Sequence, residues 1–357
     1  VRLVTIVGAR PQFIKVAPVS KALSGAGIDE ILIHTGQHFD TDMSDVFFEE
    51  LGIAAPQYHL GVNGGGHGAM TGTMLQQIEP VLQELKPDRV MVYGDTNSTL
   101  AGALVAAKLH IPIAHVEAGL RSFNRAMPEE INRIVADQLS DILFASTNVA
   151  AENLAREGVV SDRIFQIGDV MYDAALQFAE AASKRDILSV AGVEPQRYVL
   201  ATLHRAENTD DLTRLKRLVD GLETVAATMP VILPLHPRTA SRMRESGLAF
   251  NNVKTLAPLG YLDMVALESQ AAVIATDSGG VQKEAFFYKV PCVTLRDETE
   301  WVELIELGWN RLASPAQADI STAILNAIGK KGSEALPYGD GTAARNIATI
   351  LSQAHIQ

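Results

Sequence analysis

The chain has 357 residues, a formal net charge of −12, and 47% hydrophobic against 20% charged residues. That length suits two domains with sizeable cores. The acidic balance argues against nucleic acid as a partner, which needs a clustered basic surface, but leaves room for an anionic small molecule held by a few local cations.

Short runs rich in Val, Ile and Leu alternate with longer helical patterns. The first half offers the strand candidates RLVTIV, EILIHT, RVMVYG, IPIAHV and DILFAS, and the second half YVLATL, VILPLH, NVKTL, AVIATD and PCVTLR. Nearly continuous apolar strands separated by helices predict parallel sheets covered on both faces. The fold class is therefore α/β, with two Rossmann-like βαβ domains. The expected division is 1–168 plus 341–357 for the first domain and 169–340 for the second. The last amphipathic segment, TAARNIATILSQ, is expected to pack back on the first domain. The single cysteine, Cys292 in VPCVTL, excludes an internal disulfide and reads as a buried thiol in a reducing compartment. No apolar run approaches the ~20 residues of a membrane span, and the first residues enter a strand pattern directly. A soluble, cytoplasmic protein with no membrane partner is expected.

Polar residues and glycines gather directly after the strands. In the first half these are Gly8-Ala9-Arg10, Gly36-Gln37-His38, Gly94-Asp95-Thr96 and Glu117-Ala118-Gly119. In the second they are His204-Arg205, His236-Pro237-Arg238, Asp277-Ser278-Gly279-Gly280 and Arg296-Asp297-Glu298. Open α/β sheets bind ligands beyond the carboxyl ends of their strands, and two such edges are expected to enclose the active site in an interdomain cleft.

Within GARPQFIK, Pro11 suits the first turn of a helix whose free N–H groups, with Arg10 and Lys15, fit a diphosphate. In ATDSGGVQKEA, Ser278 suits a helix cap, Gly279 and Gly280 admit a phosphate close to the backbone, and Glu284 suits the hydroxyls of a ribose. Asp95, Glu117 and the pair Glu129–Glu130 are carboxylates available for acid–base work, although Asp95 also suits a helix cap and acids favour a helix start in any case. Arg133 lies on the same helix as that pair. His204 and His236 each end a strand just ahead of an arginine. His59, His67, His110 and His115 read as structural or surface residues. No G-x-G-x-x-G, Walker A, G-x-S-x-G or metal-ligand spacing occurs, so no nicotinamide, metal or other cofactor is expected.

GARPQFIK, GDTNSTL, HVEAGLRS, MPEEINR, DSGGVQKEA and YGDGTAARNI occur in order along the chain. Together they resemble the non-hydrolysing bacterial UDP-N-acetylglucosamine 2-epimerases from end to end. The resemblance implies a GT-B-like fold, a homodimer, a UDP-sugar substrate and no cofactor. It places catalytic roles on Asp95, Glu117, Glu129 and His204. It places substrate contacts on Arg10, Lys15, Arg133, His236, Ser278, Gly279, Gly280 and Glu284, and Arg205 is a further cation for the leaving diphosphate. Three segments depart from the family pattern: GQHFDTDM, in a region tied to regulation in some members; LHRAEN, where Ala206 replaces an arginine; and TEWVE, where Trp301 does so. Some relatives with the same opening motif act on UDP-2,3-diacetamido-2,3-dideoxy-glucuronate.

Inverting C2 of a 2-acetamido sugar requires loss of a C–H with no adjacent carbonyl. Coupling that loss to departure of UDP from C1 solves the problem, and the carboxylates are expected to sit close enough together for one to have a raised pKa and act as acid. A GT-B glycosyltransferase, a hydrolysing 2-epimerase and a catalytically inactive UDP-sugar-binding regulator are the competing readings.

Overall fold

The computed structural model describes residues 1–37, 48 and 50–353. His38–Met43, the greater part of the divergent GQHFDTDM segment, lie outside the described residues.

The chain divides into two units, Val1–Gln177 with Leu336–Gln357, and Phe178–Ala335. The division falls within the helix Val170–Ser183 rather than ahead of it. Hydrogen bonds account for the shift. The backbone N–H of Asp169 donates to the carbonyl of Tyr338 at 2.9 Å, and the Asp173 carboxylate accepts from the N–H groups of Ala343 and Ala344 at 3.2 and 3.0 Å. That carboxylate caps the final helix, Ala343–Gln353, which packs against the helix Arg10–Gly25 through an apolar face that includes Ile347 and Leu351.

In the first unit the strands are β1 (Arg2–Val7), β2 (Asp29–His34), β3 (Tyr58–His59), β4 (Arg89–Tyr93), β5 (Ile113–Ala118), β6 (Ile142–Ala145) and β7 (Ile164–Gln166). They form one parallel sheet in the order β3-β2-β1-β4-β5-β6-β7. In the second unit β8 (Val199–Thr202), β9 (Val231–Pro234), β10 (Lys254–Leu256), β11 (Val273–Thr276), β12 (Cys292–Thr294) and β13 (Asn310–Leu312) form another, in the order β10-β9-β8-β11-β12-β13. Both are doubly wound α/β sheets. The strand order reverses between β1 and β4 in one and between β8 and β11 in the other, and such reversals open a crevice for ligands.

Each sheet is covered by helices on its own core. In the first, Val4, Ile6, Val90 and Val92 meet Met74, Ile78 and Leu82 of the helix His67–Leu85. In the second, Val199, Ala201, Leu233 and Val273 meet Leu218, Leu222 and Val225 of the helix Leu212–Ala226. Cys292 is fully buried in β12, and burial pushes its thiol up to about 12, the setting of an unreactive thiol. The strands that patterning does not anticipate, β3, β7 and β13, are edge strands of two or three residues. Too few side chains alternate there to leave a period.

Candidate functional site

At the carboxyl edge of the first sheet, β1 ends at Val7 and Gly8 follows. A Cβ on Gly8 would lie 1.9 Å from Thr35 Oγ1 and 2.3 Å from Ser98 Oγ, so only glycine lets the chain pass here. Gln12 then joins two strand ends. Its Oε1 accepts from the N–H groups of Gly8 and Ala9 at 2.8 and 3.0 Å, while its Nε2 donates to the Tyr93 carbonyl at 2.8 Å. Gln12 was not among the sequence candidates; its position one turn into a Pro-started helix is the one signal it gave. Arg10 opens the helix Arg10–Gly25, with Pro11 in its first turn.

Lys15, expected at the diphosphate, is buried and ion-paired with Glu117. Its Nζ also lies 3.4 Å from where Gly94 would carry a Cβ, so it stands between the ends of β4 and β5. Glu117 has φ +72° and sits where the β5–β6 register shifts between Val116 and Ala118. A left-handed backbone costs a non-glycine residue on the order of 1–3 kcal/mol and persists where its surroundings over-determine it.

Asp95 is half-buried and paired with Arg133 at 2.5 Å. It does not cap the next helix. Thr96 does so, accepting from the N–H of Thr99, and this leaves the Asp95 carboxylate available. Of the acidic pair that follows Pro128, Glu130 is buried. It accepts from the N–H groups of Ser122 and Phe123, each at 2.9 Å, and faces Arg133 at 3.2 Å. Glu129 is exposed on the first turn of the helix Pro128–Leu139. The nearest ionic partners of Asp95 and Glu117 are thus cations, not the neighbouring carboxylates that the sequence reading anticipated.

At the carboxyl edge of the second sheet, Asp277 follows β11 and is fully buried. It accepts from the N–H groups of His204 and Arg205 at 3.1 and 3.0 Å and from Asn208 Nδ2 at 3.2 Å, with His204 Nδ1 3.2 Å away. Burial works against its charge, but the His204 ring, the Arg205 N–H and Asn208 outweigh burial and hold its carboxyl below the usual range. The sequence reading named the motif that contains Asp277 but gave the residue no role. The His236 ring lies 5.7 Å from that of His204 and accepts from the N–H of Arg238 at 3.2 Å, capping the helix Pro237–Ser246.

Ser278 occupies the cap position of the helix Gly279–Phe287, yet its side chain makes no capping bond. The N–H groups of the following glycines gain no partner from it. A Cβ on Gly279 would lie 3.0 Å from Glu300 Oε1 and 3.7 Å from both Arg205 Nη2 and Trp301 Nε1, so these three side chains frame the helix start. Trp301 is buried, with Lys283 Nζ 4.2 Å above its ring. Glu284 is buried two turns on. Burial and then the charge of Glu284 push up the carboxyl of fully buried Glu268 on the neighbouring helix Tyr261–Ser269. Among the described residues, no group of three or more His, Cys, Asp or Glu could hold a metal ion, and no helix is long and apolar enough to cross a membrane.

Two doubly wound sheets that concentrate carboxylates on one edge and a glycine-opened helix start on the other fit an enzyme of nucleotide sugars. The family model described as UDP-N-acetylglucosamine 2-epimerase matches residues 21–352. The chain belongs to the UDP-N-acetylglucosamine 2-epimerase family. It is 52% identical to a UDP-2,3-diacetamido-2,3-dideoxy-D-glucuronate 2-epimerase of Pseudomonas aeruginosa, over 99% of each chain. It is 45% identical to a UDP-N-acetylglucosamine 2-epimerase of Methanocaldococcus jannaschii, over 98% of this chain and 99% of that one. A crystal structure of the M. jannaschii UDP-GlcNAc 2-epimerase in complex with UDP-GlcNAc and UDP superposes with a TM-score of 0.93 at 44% identity, covering 99% of this chain and 100% of that one. The protein is therefore an isomerase of a GT-B-like epimerase family, which sets aside the glycosyltransferase reading.

Proposed function

We propose that this epimerase interconverts UDP-N-acetylglucosamine and UDP-N-acetylmannosamine by eliminating UDP and adding it back. The observation that carries the reading is the Lys15–Glu117 ion pair on a strained backbone beside Asp95. It is a held carboxylate at the carboxyl end of β5, one strand over from the Gly94-Asp95 end of β4. As a carboxylate takes the C2 proton, the C–H electron pair forms the C1=C2 bond and the C1–O bond breaks, its pair leaving with UDP. The product is a 2-acetamidoglucal. In the return step UDP oxygen re-forms the C1 bond and a proton reaches C2 from the opposite face.

Asp95, Glu117 and Glu129 are the acid–base groups, with Arg133 orienting Asp95 and Lys15 orienting Glu117. Arg10, His204, Arg205 and His236 stabilise the leaving diphosphate, with Asp277 fixing His204. Ser278, Gly279 and Gly280 receive a phosphate at the helix start, and Glu284 accepts from the ribose hydroxyls. The enzyme acts as a homodimer and needs no added cofactor. A second reading, with UDP-2,3-diacetamido-2,3-dideoxy-glucuronate as substrate, is favoured by the 52% identity to the P. aeruginosa enzyme.

Proton NMR on both UDP-sugars in D2O tests the proposal. Deuterium is expected at C2 of recovered UDP-N-acetylglucosamine and its epimer, with slow leakage of UDP and the glucal. Product formed with full retention of the C2 proton overturns elimination. Turnover of the diacetamido-uronate alone establishes the second reading.

A further inference from the structure

We propose that Asp137 is a positioning residue for Glu117 and Asp95, acting through a buried His115–Asp137–Arg121 network beneath the strand ends. The inference rests on the proposed catalytic role of those two carboxylates.

Asp137 belongs to the helix Pro128–Leu139, and His115 precedes Glu117 by two residues in β5. Both are fully buried. His115 Nδ1 lies 2.7 Å from Asp137 Oδ1, and His115 Nε2 lies 2.7 Å from the carbonyl oxygen of Gly94. The other carboxylate oxygen, Oδ2, accepts from the N–H of Gly119 at 3.1 Å and faces Arg121 Nη1 at 2.8 Å. Arg121 continues outward to Glu157 through two bonds of 2.7 and 2.6 Å. One side chain therefore binds both flanks of Glu117, directly at Gly119 and through the imidazole at His115. Through the same ring it reaches Gly94, the residue before Asp95.

The protonation pattern follows from the partners. A carbonyl oxygen only accepts, so Nε2 donates to Gly94. A carboxylate flanked by an arginine and an N–H also accepts, so Nδ1 donates to Asp137. Each ring nitrogen thus faces an acceptor, Nδ1 the Asp137 carboxylate and Nε2 the Gly94 carbonyl. Arg121 stands between the Asp137 and Glu157 carboxylates, so the buried guanidinium is partnered on both sides.

The backbone that this network holds is strained at Glu117, whose φ of +72° is costly for a residue with a Cβ. Gly119, at φ +84° and with no room for a Cβ beside the Ala150 carbonyl oxygen, takes its conformation freely. A segment of this kind relaxes when its ties are cut, and a misplacement of about 1 Å at a reacting group costs on the order of 100-fold in rate.

The test uses the full chain, with His115→Phe, His115→Gln, Asp137→Asn and Glu117→Gln compared for kcat per folded molecule, KM, UDP affinity and thermal midpoint. His115→Phe and Asp137→Asn should lose about tenfold or more in kcat with UDP affinity unchanged. His115→Gln, whose amide reaches the Nε2 position and can still donate to Gly94, should recover part of that loss. Nitrogen-15 NMR should find both His115 ring nitrogens protonated in the wild-type enzyme and only one in Asp137→Asn. Wild-type kcat in folded His115→Phe and Asp137→Asn, beside an inactive Glu117→Gln, overturns the positioning role alone. A fully active Glu117→Gln overturns the assignment of Glu117 itself. A wild-type His115 ring with one protonated nitrogen overturns the network as described.

Discussion

The two units share one strand order but carry different groups at their carboxyl edges. On the first edge Glu117 is paired with Lys15, Asp137 with His115 and Arg121, and Glu130 with Arg133. On the second, Asp277 has His204 and a set of N–H donors and Glu300 is paired with Arg296, while Glu268, in the helix Tyr261–Ser269, feels the like charge of Glu284. A carboxylate paired with a cation is held in place, which suits the acid–base role proposed for Glu117. A helix start opened by glycines offers N–H groups in place of side-chain acids, which suits the diphosphate site proposed there. The fold is one solution used twice; the chemistry differs by what stands at the strand ends.

The sharpest way to break this contrast is to neutralise the first edge and read the second. Asp95→Asn, Glu117→Gln and Glu129→Gln should each lower kcat by about 100-fold or more while UDP affinity, measured by calorimetry, stays within about twofold of wild type, since acid–base loss strikes the reaction and not nucleotide binding. Full activity in all three would leave these residues with capping and pairing roles only.

Next in size is Asp277→Ala. It removes the acceptor for two backbone N–H groups and the Asn208 amide, and should cost about 2–3 kcal/mol in urea unfolding, the scale of hydrogen bonds to a charged group. Its pH dependence has a definite sign. The folded carboxyl titrates below its unfolded value of about 3.9, so its contribution is complete above that value and is lost as pH falls through the lower folded value. Wild-type and Asp277→Ala unfolding curves should therefore converge toward acid pH.

Lys15 and Arg10 divide the comparison more finely. Arg10→Ala should weaken UDP binding by about tenfold, the loss of one charge-assisted contact of roughly 1.5 kcal/mol. Lys15→Ala should act mainly on kcat, because its partner is Glu117. Equal losses of UDP affinity in both would return Lys15 to the diphosphate.

The smallest effect belongs to Glu268. Burial raises its folded pKa above the unfolded value near 4.3, so whatever stability it lends is present below that value and is lost as pH rises through the folded one. Glu268→Gln, which is neutral throughout, should flatten the alkaline side of the stability profile in thermal unfolding at pH 6 and pH 9. An unchanged slope would show that Glu268 is ionised in the folded protein.

Apolar runs, their spacing and the polar residues that end them determined a good deal by themselves: two parallel α/β sheets, the strands at their centres, and motifs that name the family. Local sequence suffices for these because a strand buried on both faces must be continuously apolar, and the residues that end each strand are read directly from the chain. The tertiary structure decided what no local pattern carries. It chose Glu130 over Glu129 for burial, gave the cap to Thr96 and released Asp95, and turned Lys15 toward Glu117. It also made Gln12, Asp137 and Asp277 into ties between strand ends far apart in sequence, with His115, which the sequence alone reads as a structural or surface residue, relaying Asp137 to Gly94. Each of these depends on which side chain a folded neighbour can reach. A buried charge declares its partner only when the strands that carry the two groups lie side by side.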